Sequence, residues 1–372
     1  MKKRALALLL CLSMILLVGC GAKTAAPAEK PAELAPTAQS TETAAEPAAD
    51  YEYPELTIGL SSMYVDPANV RDFNAEGIAQ QAFADMVHER SGGKITVKNY
   101  WSSVLGKAAD TFGMVRDGEL EMVFAIVQSE YEPRVGAFNL PGNVDSLEMA
   151  WDLMGTLDAP LGKLYYELGK NAGVEVLAGA AGTVRDIFSS KHPIHRPADL
   201  SDSMIRTYSD VTVSTYFSGL CTTVNLPMPE LYTSLQTGAV DAFEHSSVTA
   251  ISNNLTDVVK YYSDVHWQWQ PCNFFIAGAP FWESLDEPTQ KLLKECAQDA
   301  AEICYKETLD GLEKAEKFMT EEAGLEIYHL TDEDRAEWAE YGATVVDQLR
   351  DQYGADMVDE IVQICNDYRA NH

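Results

Sequence analysis

Residues 230–245 read ELYTSLQTGAVDAFEH, and this stretch decides the fold that the sequence predicts. Residues 231–237 predict a short helix, and the glycine directly after them is the usual helix stop. Residues 239–243 form a short apolar run that is typical of a buried strand. The end of that strand brings Glu244 and His245 to the edge of a sheet. Because ligands of open α/β sheets bind at the carboxyl ends of strands, we expect both side chains to face a binding crevice.

Short apolar runs alternate with amphipathic segments through the rest of the body, which indicates an α/β protein. A helix is predicted over 76–90, and from Glu287 the helical pattern runs for roughly 30 residues. The other predicted helices lie at 109–116, twice within 146–169, and twice at the end of the chain. The predicted strands cover 55–60, 94–100, 122–126, 174–177, 184–188, 203–207, 240–243, 273–277 and 326–328.

The first twenty residues predict an export signal. A positively charged start over 2–4 precedes an apolar run over 5–18, which is too short to span a membrane in the mature protein. The run ends in Leu-Val-Gly before Cys20, and this looks like the lipobox that bacterial lipoprotein processing recognises. We therefore predict a signal peptide over 1–19 and lipidation of Cys20. The alternative is an ordinary secretory signal with Cys20 incidental.

Residues 20–50 predict a tether rather than a folded segment. From 21 to 50 the chain has no aromatic residue, Leu34 as its large aliphatic residue, and four prolines. Such a composition cannot bury enough apolar surface to offset the entropy of ordering. We expect the lipidated cysteine and a disordered Ala/Pro/Glu-rich linker to hold a folded body, which starts near Tyr51, outside the cytoplasmic membrane.

The charge balance excludes one class of partner. Lys and Arg number 27 against 57 Asp and Glu, which gives a formal net charge of -30. Nucleic-acid binding draws most of its affinity from Lys and Arg that release counterions from the phosphates. We therefore predict no nucleic-acid partner.

Signatures of common enzymes and metal sites are absent from the sequence: there is no GxSxG, HExxH, Walker A, GxGxxG or EF-hand motif. His192 and His195 have a spacing that two metal ligands could use. A proline lies between them, and the run offers no acidic or cysteine partner, so a surface loop is the favoured interpretation. We predict no cofactor, no metal and no enzyme activity.

The cysteines add no chemistry of their own. Of 7 cysteines, Cys11 leaves with the signal peptide and Cys20 is the lipidation site, so 7 - 2 = 5 remain, and no CxxC pair occurs. We expect small buried hydrophobic residues at the five positions, which are Cys221, Cys272, Cys296, Cys304 and Cys365.

A scarcity of cations makes Arg206 conspicuous. Between Asp199 and Ala277 the basic residues are Arg206 and Lys260, and Arg206 lies in the apolar, strand-like run MIRTY. A guanidinium there is costly to desolvate without a partner. Two interpretations follow from spacing alone and stay open: a buried ion pair with a nearby acidic residue, or a site that holds a ligand carboxylate through two parallel hydrogen bonds.

Two motifs carry a family resemblance. The first is Pro193-Ile194, Asp199-Leu200 and then Arg206 at the end of a short strand. The second is long and specific, and comprises Glu230, Tyr232, Leu235-Gln236-Thr237-Gly238, Val240-Asp241 and Glu244. With weaker matches over the rest of 51–372, the chain resembles the DctP-like solute-binding proteins of TRAP transporters, which capture organic acids outside the membrane.

The resemblance implies a bilobal periplasmic-binding-protein fold, in which two α/β lobes are joined by crossing strands and a long C-terminal helix. Lobe I is expected to comprise 51–182 and 271–310, and lobe II 183–270 and 311–372.

The resemblance also implies a set of ligand-binding residues. Arg206 is the expected main carboxylate contact and Arg185 a second cationic contact. His245 stands where many relatives have asparagine; it can donate to a carboxylate, and its charge can change near pH 6.5. The other expected contacts are Glu244, Met228 as an adaptable apolar wall, and Gln128 and Tyr64 from the other lobe. Trp267, Gln268 and Trp269 form a cluster near the crossover, for which packing at the hinge is at least as good an interpretation.

The function implied is capture of a small carboxylate-bearing solute by lobe closure, and its delivery to an ion-driven TRAP membrane permease. The protein is expected to be a monomer held to the membrane by its lipid alone. Two alternatives remain open at this point: a ligand-sensing lipoprotein that docks on a receptor, and a surface enzyme.

Overall fold

Two β-sheets divide the strands of the computed structural model, which describes residues 51–372 except 71, 180, 181, 209, 272 and 273. The strands are β1 (Leu56–Ser61), β2 (Ile95–Tyr100), β3 (Met122–Ala125), β4 (Val174–Val176), β5 (Thr183–Ser189), β6 (Met204–Thr207), β7 (Thr222–Asn225), β8 (Ala242–His245), β9 (Tyr261–Gln270), β10 (Phe274–Gly278) and β11 (Glu326–Tyr328). The first sheet has the order β2-β1-β3-β10-β4, and the second β11-β9-β5-β8-β6-β7.

Helices cover both sheets. They are α1 (Ala75–Arg90), α2 (Ala108–Arg116), α3 (Leu147–Met154), α4 (Pro160–Asn171), α5 (Val211–Ser218), α6 (Met228–Thr237), α7 (Ser247–Ser252), α8 (Ala279–Ser284), α9 (Glu287–Lys317), α10 (Asp332–Tyr353) and α11 (Ala355–Asn371). Short 3-10 helices lie at Pro133–Asn139, Pro197–Leu200 and Leu255–Val258. Within the described residues, no helix combines the length and the apolar character that crossing a bilayer requires.

The stretch that decides the fold forms a helix and then a strand, as predicted, but the strand lies at Ala242–His245 rather than at 239–243, so Glu244 and His245 belong to it. α6 ends at Gly238, whose φ of 74° lies in the left-handed region that glycine adopts without strain. β8 follows, and Ala242 and Phe243 are fully buried within it. β8 lies between the antiparallel β5 and the parallel β6, so its carboxyl end is at the centre of the second sheet.

The crossing strands connect the two sheets twice. The chain passes from β4 in the first sheet to β5 in the second, and from β9 in the second sheet to β10 in the first. The two passages touch: a Cβ on Gly182 would lie 2.2 Å from the carbonyl oxygen of Gln270. Gly182 has a φ of 70°, so this close approach requires glycine for both space and conformation.

The long helix α9 has the predicted position and length, with 31 residues. Asp286 caps its start, because the Asp286 carboxylate accepts a hydrogen bond from the backbone N–H of Thr289 at 2.9 Å. The first half of α9 buries residues such as Leu293 and Cys296 in the core of the first sheet. Near its end, Ala315 packs into the core of the second sheet. One helix is therefore shared by both cores.

The C-terminal helices pack on elements next to both sheets. The hydroxyl of Tyr353 in α10 lies 2.8 Å from that of Thr212 in α5. Arg369 in α11 donates to the carbonyl oxygens of Gly142 and Asn143, each at 2.7 Å. The assignment of 311–372 to one lobe stays a prediction, because this segment contacts both the 140–145 loop and the second sheet's helices.

Candidate functional site

Arg206 is a buried cation in the second sheet. It is in β6, between β7 and β8, and it is 4% exposed. Its Nε donates to the carbonyl oxygen of Leu226 at 3.0 Å. In the part of the chain that the structure describes, its terminal nitrogens make no hydrogen bond and Arg206 makes no ion pair. Burial lowers the pKa of Arg206, the charge of Glu244 raises it and that of Arg185 lowers it again.

Arg185, not Arg206, is the arginine that forms a buried ion pair. It is 2% exposed, and its partner Glu244 is fully buried. Nη2 of Arg185 donates to one carboxylate oxygen of Glu244 at 2.9 Å, and its Nε donates to the other. Nη1 donates to the side-chain oxygen of Gln270. Because both oxygens of Glu244 and most donors of Arg185 are used within the protein, Arg206 has the more available guanidinium. The expected ligand contacts of Arg185 and Glu244 stay predictions.

Tyr208 links the two arginines, and it was not predicted from the sequence. Its ring centroid lies 5.3 Å from the guanidinium carbon of Arg206 and 5.4 Å from that of Arg185. Its hydroxyl accepts a hydrogen bond from Gln270 at 3.2 Å. Burial raises the pKa of Tyr208, so the phenol keeps its proton and can donate it in a hydrogen bond. The position of Tyr208, directly after β6, is the signal that could have identified it.

His245 ends β8 beside these groups. Its Nδ1 accepts a hydrogen bond from the backbone N–H of Ser246 at 2.9 Å, so the proton of the neutral ring is on Nε2. Burial holds the pKa of His245 well below its usual range, and the charges of Arg185 and Arg206 act in the same direction. The expectation that its charge changes near pH 6.5 is therefore wrong. At neutral pH His245 is an uncharged ring with one N–H donor.

Asp210 fixes the loop that follows β6. One of its carboxylate oxygens accepts from the backbone N–H of Val213 at 2.9 Å, which caps α5. The other lies 3.5 Å from the side-chain nitrogen of Asn139, at the end of the 3-10 helix Pro133–Asn139. The backbone oxygen of Asn139 accepts from Gln268 in β9. These contacts tie the arginine group to the segment that follows β3.

Tyr64 and Gln128 come from the first sheet. They follow β1 and β3, which are parallel neighbours, so both lie beyond the same edge of that sheet. Tyr64 packs on Phe124 with ring centroids 5.9 Å apart. The side-chain nitrogen of Gln128 donates to the carbonyl oxygen of Ile126 at 2.9 Å. No described hydrogen bond joins either side chain to the arginines, and their contact with a ligand stays a prediction.

Met228 is the first residue of α6 and is half-buried against the core that contains Leu231 and Phe243. It lies two residues after Leu226, whose carbonyl oxygen holds Nε of Arg206. Its role as an apolar wall of the ligand site stays a prediction.

Comparison with known proteins identifies the family. The model of the bacterial extracellular solute-binding proteins, family 7, also called DctP, matches residues 69–352. The chain belongs to this family. A 2,3-diketo-L-gulonate-binding periplasmic protein of Escherichia coli K12 is 27% identical over 300 residues, which cover 78% of this chain and 88% of that protein.

Solved structures show the same fold. A TRAP periplasmic solute-binding protein from Ochrobactrum anthropi is similar with a TM-score of 0.77 at 24% identity, over 86% of this chain and 97% of that one. A sugar acid binding protein from Advenella mimigardefordensis, solved with galactonate, has a TM-score of 0.75 at 23% identity, over 84% and 98% of the two chains. The predicted periplasmic-binding-protein fold and the family resemblance are both confirmed. Because the family consists of extracytoplasmic binding proteins, the surface-enzyme alternative is excluded.

The Trp-Gln-Trp cluster of this solute-binding protein packs in the protein interior. Trp267 and Trp269 in β9 are 3% and 1% exposed, and the ring of Trp267 lies 4.4 Å from that of Tyr216. Trp267 also borders a cavity of about 560 Å³ between β9, the 141–145 loop and the C-terminal helices. None of the predicted ligand residues lines this cavity.

The two histidines of the HPIH run contact different neighbours. His192 bonds Asp202 at 2.9 Å, whereas the ring of His195 stacks on Tyr328. Among the described residues, no group of three or more His, Cys, Asp and Glu could hold a metal ion. Cys296 and Cys365 are fully buried free thiols, as expected, whereas the expected burial is wrong for Cys221 and Cys304, which are only partly buried. Cys272 lies outside the described residues, as do Cys20 and the predicted signal and tether.

Proposed function

We propose that this protein captures a small solute that carries a carboxylate and delivers it to the membrane subunits of an ion-driven TRAP transporter. The observation that carries this proposal is Arg206, a cation that is 4% exposed and has no ion-pair partner among the described residues.

An unpaired buried guanidinium needs a counter-charge. Burial lowers the pKa of Arg206 because the charged form loses its hydration, and the nearby charge of Glu244 offsets that loss only in part. A ligand carboxylate would accept two parallel hydrogen bonds from the terminal nitrogens, the geometry that guanidinium groups match best. A ligand carboxylate bound to Arg206 would therefore offset part of the free-energy cost of burying this guanidinium.

Closure of two lobes would complete the site. The second sheet supplies Arg206, Tyr208 and His245, and the first supplies Tyr64 and Gln128 beyond the ends of β1 and β3. A ligand that contacts both groups stabilises the closed form over the open form by its differential contacts. The closed form is then the one that a permease would recognise.

The relatives support a solute of this class. The Escherichia coli relative is named for binding 2,3-diketo-L-gulonate and the Advenella protein for binding sugar acids, and both ligands carry a carboxylate. We further propose that lipid on Cys20 anchors the protein at the outer face of the cytoplasmic membrane, and that 20–50 serves as its tether.

A thermal-shift screen tests the proposed ligand class. Purified protein is melted with monocarboxylates, dicarboxylates, keto acids and sugar acids, and with the neutral polyol or amide that matches each acid. A ligand at 100 times its dissociation constant adds about 2.7 kcal/mol of stability, which is easily detected. Stabilisation by at least one acid, but not by its neutral match, is the expected result. Stabilisation by neutral compounds alone would refute the proposal.

A further inference from the structure

A chain of hydrogen bonds with a fixed direction ends at the hydroxyl of Tyr208. A guanidinium has donors and no acceptor, so the side-chain oxygen of Gln270 is the group that accepts from Nη1 of Arg185, at 2.5 Å. The amide nitrogen of Gln270 therefore lies on the other side, where it donates to the hydroxyl oxygen of Tyr208 at 3.2 Å. The reverse orientation of the amide would place its N–H groups against the guanidinium. Because Tyr208 accepts this bond, its own O–H is left to donate elsewhere.

The Tyr208 hydroxyl donates to no group in the described part of the chain. The hydrogen bond that it has there is the one that it accepts from Gln270. Burial raises the pKa of Tyr208, so the proton stays on the phenol at neutral pH. Hydrogen bonds in a chain polarise one another, which makes a phenol that already accepts a bond a better donor. Tyr208 is only partly buried by its own surface, so a bound solute can reach this donor.

Tyr208 lies on the same face of the second sheet as the proposed carboxylate contact. It directly follows β6 and is two residues after Arg206, the spacing that places two side chains of a strand on one face. Its ring centroid lies 5.3 Å from the guanidinium carbon of Arg206. A carboxylate on Arg206 and the phenol hydroxyl are therefore within the span of one small acid. In such an acid, the oxygen nearest to the carboxylate group is the one on carbon 2.

We propose that Tyr208 binds a hydroxyl or keto oxygen on carbon 2 of the solute, beside the carboxylate on Arg206, and so selects 2-hydroxy and 2-keto acids over acids that lack this oxygen. This inference rests on the proposed function and narrows its substrate class. Tyr208 lies outside both sequence motifs, so the motifs do not imply this preference. The contact leaves the far end of the solute unconstrained, so acids with one carboxylate and acids with two can share it.

Matched pairs of acids that differ in the oxygen on carbon 2 test the inference on the wild-type protein. The pairs are lactate and propionate, glycerate and 3-hydroxypropionate, malate and succinate, and gluconate and 2-deoxygluconate. Affinities are measured by calorimetry at pH 7.5. In every pair with measurable binding, we expect the acid that carries the oxygen to bind about 5- to 50-fold more tightly. Equal or reversed affinities within the pairs overturn the inference and leave the proposed function standing, whereas binding of no acid at all overturns both.

Tyr208→Phe tests whether the hydroxyl makes the contact. The variant keeps the ring beside the two arginines, so the acid without the oxygen should bind about as it does to the wild type. The advantage of the acid with the oxygen should fall to about twofold or less. A loss of affinity that is equal for both acids of each pair overturns the inference, because a purely structural role of Tyr208 would give that result. Tyr368→Phe is the matched control, because the Tyr368 hydroxyl bonds Asp152 on the exposed surface at 2.7 Å, and its ratios should stay those of the wild type.

Gln270→Glu tests the direction of the chain with Tyr208 intact. One carboxylate oxygen still accepts from Arg185, but the other now accepts from Tyr208, so the phenol proton no longer faces the solute. The advantage of the oxygen on carbon 2 should again fall to about twofold or less; the ratio within each pair is compared, because the added negative charge weakens the binding of every acid. An unchanged ratio in the folded variant overturns the assigned direction. If neither variant folds, the ratios of the wild-type pairs still decide the inference.

Discussion

Truncation of the two buried arginines should affect two different properties, ligand affinity for Arg206 and folding stability for Arg185. Arg206→Ala removes a cation whose described side-chain bond is a single one, to the carbonyl oxygen of Leu226 at 3.0 Å. Arg185→Ala removes the partner of Glu244, which is fully buried. The first change should abolish ligand binding in a stable protein. The second should destabilise the protein before any ligand is added.

The magnitudes follow from these contacts. Losing one partner of a desolvated ion pair with a ligand costs on the order of 2–5 kcal/mol, so Arg206→Ala should weaken binding by about 30- to 4,000-fold. Arg206→Lys keeps the charge without the planar donors and should also lose much of the affinity. Without ligand, the melting temperatures of Arg206→Ala and Arg206→Lys should each lie within a few degrees of that of the wild type. Arg185→Ala leaves Glu244 uncompensated and should cost about 3–5 kcal/mol of stability.

Two measurements separate the roles. Melting temperature without ligand reports on stability, and calorimetry with an acid from the thermal-shift screen reports on affinity. Arg90→Ala is the control, because Arg90 pairs with Asp299 on the exposed surface at 2.6 Å and should change neither quantity appreciably. The reasoning is refuted if Arg206→Ala unfolds the protein and retains affinity, or if Arg185→Ala leaves the melting temperature of the ligand-free protein unchanged.

Three further predictions concern other residues. The pKa of His245 is held below its usual value of 6.5, so the unfolded chain takes up a proton there that the folded protein does not, and stability should fall as the pH drops below about 6.5. His245→Asn should therefore lose less stability than the wild type between melts at pH 8 and at pH 5.5, and an identical pH dependence of the two proteins would contradict this prediction. Cys20→Ala should move the protein from the membrane fraction to soluble or unprocessed forms, and unchanged membrane association would exclude lipidation. Burial raises the thiol pKa of Cys296 and Cys365 to about 12, so a thiol reagent should reach both only in denaturant; their labelling in the native state would contradict the described burial.

Local pattern was enough to predict the elements that decide the fold. The glycine stop after α6 and the apolar run of β8 act within a few residues of each other, and the predicted α9 begins at Glu287, as observed. β9 was not predicted, although it is the longest strand described. The first four residues of β9, YYSD, do not alternate, whereas residues 265–270, VHWQWQ, alternate between apolar and polar side chains and are the signal that could have identified the strand. The register of β9 with β5 shifts between Arg185 and Ile187. His266, with a φ of 49°, lies within this irregular stretch.

Arg206 and Glu244 came from motifs, Arg185 from the family resemblance and His245 from a departure from it, and the structure brings these four residues together. Their contact with a ligand stays a prediction. Which arginine would hold the glutamate depended on the register of β5 against β8, which joins residues 59 positions apart. Sequence spacing does not specify such a register. The low pKa of His245 could not be predicted for the same reason, since it depends on burial and then on the charges of two arginines from other strands.

Sharing α9 between two cores makes its residue count a constraint. Each residue added to an α-helix turns everything beyond it by about 100° and moves it about 1.5 Å along the axis. A single insertion in the partly exposed middle of α9, between Ala301 and Thr308, would therefore rotate Ala315 away from the second core while Leu293 stayed in the first. Gly311 would also leave Val248, which a Cβ there would meet at 3.6 Å. Insertions and deletions in this helix should be rarer among relatives than its surface exposure suggests. The middle segment fixes the separation and the relative rotation of the two ends of α9, even where its own side chains make few contacts.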